Sequence, residues 1–224
     1  MRSGRGGTRH RRAPGVVPDR PDRRSIRGAD VTVADRFAGV GLEPEAAQQV
    51  FRAVLNSFSR PGLPHRLPST GFPPALLPAL ALADLETGVA VLDGADAEWG
   101  EILTVATGAT KVSADSARFV TVLRSATPGD LGNAARGTAL SPESAATVVC
   151  AVPSLTGGTT VTLEGPGVRE TEVIAPRGFD ENLWRARNEA VSAFPAGIDV
   201  LLVADDGTVL GLPRTTGVLI ERES

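Results

Sequence analysis

The stretch from Phe194 to Thr216, FPAGIDVLLVADDGTVLGLPRTT, constrains this chain more than any other. Two apolar runs, Ile198 to Val203 and Val209 to Leu212, flank Asp205-Asp206-Gly207. Asp and Gly tolerate the positive φ of a tight turn, so the pattern predicts an antiparallel hairpin. If Asp206-Gly207 is a two-residue loop, counting back sets the register. Asp205 then faces Thr208, Val203 faces Leu210, and Asp199 lies opposite Arg214. An Asp199–Arg214 ion pair is therefore expected, and a longer loop is expected to separate the two.

Around that hairpin, helical and extended patterns alternate. Glu43 to Phe58 repeats Ala47, Val50, Phe51, Val54, Leu55 and Phe58 at helical spacing, with Pro44 in the first turn and Ser59-Arg60-Pro61-Gly62 as the stop. Helices are also expected over Pro73 to Leu85 (bent or restarted at Pro78), Asp96 to Ala106, near Thr127 to Ala135, and over Phe179 to Ala193. Strands are expected at Val89 to Leu92, Arg118 to Leu123, Thr147 to Val152, Thr159 to Leu163, Thr171 to Ile174 and Gly217 to Ile220. Helices interleaved with strands, and late hairpins, predict an α/β fold with a mixed sheet covered by helices.

Charge divides the chain. Residues 1 to 30 hold nine Arg against three Asp and few large apolar side chains, so they predict a disordered basic extension, either an arm for polyanions or a dispensable one. Residues 31 to 224 read as a single acidic domain, with 42% apolar residues in the whole chain and enough length for a sizeable core. The most apolar window, Phe72 to Leu92, contains Asp84, Glu86 and three prolines, so no membrane span is expected, and the basic start lacks an apolar signal region. With one cysteine and no such leader, a reducing cytoplasm fits.

The reactive inventory is small. Neither a Walker loop nor a Gly-x-Gly-x-x-Gly motif is present, and the only histidines are His10 and His65. Cys150 sits in an apolar run and is read as a small buried side chain, so neither an iron–sulfur cluster nor a zinc set can be built on it. Lys111 is the sole lysine, so a pyridoxal aldimine could form nowhere else; it reads as a solvated loop residue. What remains is anion chemistry. Pro213-Arg214-Thr215-Thr216 gathers a guanidinium and two hydroxyls at a strand end, suited to a phosphate or phosphonate, or else to the internal pair with Asp199. Arg52 on the first helix carries the same two readings, and Asp205 with Asp206 reads as turn chemistry.

With these pieces in place, the chain resembles the PhnH family, the H subunit of the bacterial carbon–phosphorus lyase system for phosphonate breakdown. The resemblance is carried by Phe51-Arg52 with Ser59 and Pro61-Gly62; Gly137-Thr138, Pro142-Glu143 and Ala146-Thr147; Ser154-Leu155-Thr156-Gly157-Gly158; Ile174-Ala175-Pro176; and Phe194 to Asp199 followed by Pro213 to Thr216. It implies a fold similar to pyridoxal-phosphate-dependent transferases without the cofactor and without an iron–sulfur cluster. It further implies a homodimer when alone and a place in a core complex with the G, I and J subunits; no nucleic-acid or membrane partner is expected. That system transfers ribose 5-triphosphate from ATP onto a phosphonate. Against so sparse an inventory, the expected role is accessory, with substrate contacts, if any, at Arg214, Thr215, Thr216 and Arg52. The alternative is a catalytic subunit with Asp199 or Glu143 as base and Arg214 or Arg52 as clamp. A contiguous apolar patch for self-association is also expected.

Overall fold

The computed structural model describes, beyond Met1, residues 41–94 and 98–220. The basic extension over residues 1–30 and the expected start of a helix at Asp96 lie outside them.

Helix α1 (Pro44–Ser59) opens the described chain; Pro44 occupies its first turn and its buried residues include Val50, Ala53 and Val54. Each of the two valines contributes about 1.5–3 kcal/mol when fully buried. The two-residue strand β1 (His65–Arg66) follows. The helix expected from Pro73 divides into a 3-10 turn, Pro74–Leu76, and α2 (Leu77–Leu82), which begins with Pro78 in its first turn and stops short of Leu85. Then come β2 (Gly88–Leu92), α3 (Trp99–Thr107), β3 (Thr110–Lys111) and β4 (Phe119–Val122). Next is the one-turn α4 (Pro128–Gly132), opened by a capping box between Thr127 and Asp130. The second half comprises β5 (Thr147–Val152), β6 (Ser154–Glu164), β7 (Glu172–Arg177), α5 (Glu181–Ala190), β8 (Asp199–Ala204), β9 (Thr208–Leu212) and β10 (Gly217–Ile220).

Among the described residues the strands form two sheets. One is mixed, in the order β1-β9-β8-β5-β4-β2-β3, and the other is a small antiparallel sheet in the order β10-β6-β7. In the mixed sheet β2, β3, β4, β5 and β8 run parallel; β9 runs antiparallel to β8, and the edge strand β1, antiparallel to β9, takes up the common direction again. Parallel strands need cover on both faces, and side-chain alternation delivers it. Val200 and Leu202 of β8 join one cluster with Leu131 of α4, Trp184 of α5 and Val161 of β6. Leu201 and Val203 join the other, with Val50 and Val54 of α1, Leu77 of α2 and Leu103 of α3. The expected mixed sheet covered by helices is present, and the small sheet adds to the cover on the α5 face.

The expected hairpin forms, but its register is not the expected one. Val203 pairs with Val209 and Leu202 with Leu210, so the loop holds three residues, Asp205-Asp206-Gly207. The reason is Gly207. At φ +83° it adds a left-handed residue after the turn closed by Gly207 N–H to Ala204 O at 2.9 Å.

Candidate functional site

At the N-terminal end of β8 the chain builds a charged clamp. Pro213 to Thr216 form a turn closed by Thr216 N–H to Pro213 O at 2.9 Å. The carboxylate of Asp199 accepts three bonds from Arg214: backbone N at 2.8 Å, Nε at 3.2 Å and Nη2 at 2.6 Å. Arg214 Nη1 also donates to Pro142 O at 2.8 Å and Pro195 O at 3.3 Å. The two side chains are 15% and 24% exposed. One guanidinium therefore ties together the start of β8, the turn at Pro142 and the segment before β8. The pair forms although the slipped register takes Arg214 off the rung facing Asp199. Arg214 lies past the end of β9, where the turn re-aims both its amide and its side chain.

Glu143 borders the same cleft, a space of about 380 Å³, with Asp199, Arg214 and Thr215. Thr215 is exposed, whereas Thr216 is buried and its Oγ1 has no hydrogen-bond partner. Arg52 is not brought to this place. It is exposed on α1, whose buried side packs on the opposite face of the mixed sheet from α5.

Sequence reasoning missed Arg187. It shares the helical spacing of Leu183, Trp184 and Val191, an apolar-periodic position that carries a cation. The side chain is fully buried, and its Nη1 and Nη2 each donate at 2.7 Å, to Thr216 O and Pro213 O. The neighbouring Asn188 Nδ2 donates to Val218 O at 2.9 Å. Thr216 and Val218 are two residues apart, so α5 side chains satisfy alternate carbonyls, one just before β10 and one within it, where another strand could otherwise add. Burial pushes the Arg187 guanidinium down to about 10, the Asp199 carboxylate pulling the other way. The signal was available in principle, since a charged residue inside an apolar helical stripe demands partners.

The other singled-out residues stand elsewhere. Lys111 is exposed on the edge strand β3. Cys150 is buried in β5, and burial pushes its thiol up to about 12. Asp206 is held low by its bonds from the Thr208 hydroxyl and amide, and it faces Arg66 at 3.9 Å, as turn chemistry requires. His65 Nε2 is buried without a partner; burial and Arg60 lower its pKa. No group of three or more metal-ligating side chains is found among the described residues, and none of their helices is long and apolar enough to cross a membrane.

Fold and site define an α/β protein whose best-placed cations are engaged with the chain's own carboxylate and carbonyls, holding loops around a groove. The family model of the bacterial phosphonate metabolism protein (PhnH) matches residues 38–219, and the chain belongs to that family. It is 37% identical over 201 residues to the "Alpha-D-ribose 1-methylphosphonate 5-triphosphate synthase subunit PhnH" of Rhizobium meliloti (strain 1021), covering 84% of this chain and 96% of the relative. It is 33% identical over 177 residues to the "Putative C-P lyase subunit protein HtxG" of Stutzerimonas stutzeri, covering 76% of this chain and 85% of that protein.

Proposed function

We propose that this chain is an accessory subunit of a cytoplasmic carbon–phosphorus lyase core assembly, supporting transfer of ribose 5-triphosphate from ATP to a phosphonate. The carrying observation is the near full-length similarity to a protein named as a subunit of ribose 1-methylphosphonate 5-triphosphate synthase. An accessory role accords with the Arg214 fork, most of whose N–H groups serve the fold. In this reading the fold is that of pyridoxal-phosphate-dependent transferases, used without pyridoxal phosphate or an iron–sulfur cluster. The partners are the G, I and J subunits, and the chain pairs with itself when alone. Apolar surface suited to association is present: Phe194, Leu219 and Val173 are each more than half exposed. Leu219 and Val173 fall on one outward row of the small sheet, on either side of Thr162.

Co-expression with the neighbouring subunits tests the proposal. A stable complex containing this chain, with no turnover of ATP and methylphosphonate by the chain alone, is the expected result; turnover by the isolated chain overturns the accessory role. The catalytic reading has one observation in its favour, that Glu143, Asp199 and Arg214 border one cleft. Asp199→Asn distinguishes the two: lost activity in an intact assembly supports catalysis, and lost folding or assembly supports the clamp.

A further inference from the structure

We propose that the groove between α5 and the Pro213–Thr216 turn binds a small organophosphorus oxyanion, a phosphonate or phosphate monoester carrying an apolar body. The ligand class rests on the family reading above; the place and polarity rest on the geometry. The groove encloses about 530 Å³, and Arg187 and Thr216 are among its lining. Both are at most 1% exposed, and each keeps one polar atom without a hydrogen-bond partner, Nε of Arg187 and Oγ1 of Thr216. Arginine offers only donors and a hydroxyl can donate, so the group that relieves both is rich in acceptors. Staggered χ1 positions are open in principle to the Thr216 hydroxyl, and a ligand oxygen within reach of one of them would recruit that donor.

Charge points the same way. Asp199 places its carboxylate on Arg214, leaving Arg187 bonded to carbonyls and the Asn188 amide oxygen only. Arg187 thus keeps its charge without a carboxylate hydrogen bond, beneath a low-dielectric wall that strengthens its field. Thr215, exposed on the rim, adds a second hydroxyl. Glu164, whose Oε1 lies beside Gly217, disfavours a second anionic group at that end. Beyond Arg214 and Asn188, the remaining walls are mainly apolar. Val191, Phe194 and Leu219 line the groove, with Phe194 65% and Leu219 54% exposed, a surface for an aromatic or alkyl substituent and not for a bare ion.

Isothermal titration of the full chain with phenylphosphonate, methylphosphonate and inorganic phosphate tests the site. Saturable binding of phenylphosphonate, about tenfold or more tighter than phosphate, is expected. Thr216→Val, nearly isosteric, is expected to weaken it by about tenfold while keeping the melting temperature. Thr215→Val, on the surface, supplies the same readout should the buried substitution fail to fold. Absence of saturable heat, equal affinity for phosphate, or unchanged affinity in a folded threonine variant each overturns the proposal. Capture of partner subunits by wild type and variants is scored in parallel, so a failed subunit reading (no partner captured) and a failed site (no heat) are separate results.

Discussion

Replacing Arg214 with alanine removes the clamp at the start of β8. The substitution deletes two charge-assisted bonds to Asp199 and two bonds to the carbonyls of Pro142 and Pro195. It leaves Asp199 with the backbone N–H of residue 214 as its remaining recorded partner. Removing one member of a buried pair costs about 3–5 kcal/mol, because the other charge stays desolvated. Side-chain exposures of 15% and 24% let water recover part of that, which brings the expectation to about 2–4 kcal/mol. For a domain of roughly 180 residues, with an unfolding entropy of about 2.1 cal/mol/K per residue, about 3 kcal/mol corresponds to a fall of about 8 °C in melting temperature. Scanning calorimetry of wild type and variant reads this directly. A double-mutant cycle with Asp199→Ala isolates the ion-pair part, expected near 2 kcal/mol, because the two carbonyl bonds cancel between its edges. A fall below about 2 °C, or a coupling indistinguishable from zero, refutes the assignment of the clamp as a structural lock.

Gly211→Ala places a Cβ 2.6 Å from the Ser57 carbonyl carbon of α1, too close for backbone atoms to yield cheaply, so urea unfolding should report a loss of about 2 kcal/mol or more, or no soluble protein. Asp130 is set by burial, which raises its pKa, against the stronger combined pull of Arg124 and the Thr127 amide and hydroxyl, which leaves it lowered. Since the folded value lies below the unfolded 3.8, its stabilisation is complete above about pH 4 and is lost as pH falls through the folded value. The stability gap between wild type and Asp130→Asn should therefore be full at pH 7 and shrink below pH 4; a gap that grows on acidification contradicts the ion pair. Cys150 should resist a disulfide reagent at pH 8 in the native protein and react after guanidinium unfolding, because burial holds its thiol near 12; prompt native labelling contradicts that.

How far the sequence was legible follows from the range of the forces involved. Helix α1 and the strands Thr147–Val152 and Thr208–Leu212 were readable because periodicity and turn residues act within a few positions. Hairpin register depends on one dihedral, that of Gly207, and a change from two to three loop residues shifts every rung. The two-residue strand β1 was invisible, since it exists only as a partner for β9. The division of the strands into two sheets was hidden for the same reason, because β10 pairs with β6 more than fifty residues earlier.

The site divides along the same line. The Asp199–Arg214 pair was expected from a two-residue-loop register that does not form, and a longer loop was expected to separate the two; the turn past β9 brings them together in spite of the register. The apolar stripe around Arg187 signals a buried side but not its partners, since those require α5 to lie along β10 and the carbonyls of Pro213 and Thr216 to face inward at the same point. An apolar side chain there would leave both carbonyls without those bonds, and a lysine could not fork between them. The geometry of the turn and the identity of Arg187 are therefore one constraint. A substitution that spares the two carbonyl bonds but alters the groove, such as Thr216→Val, separates what this corner does for the fold from what it does for a ligand.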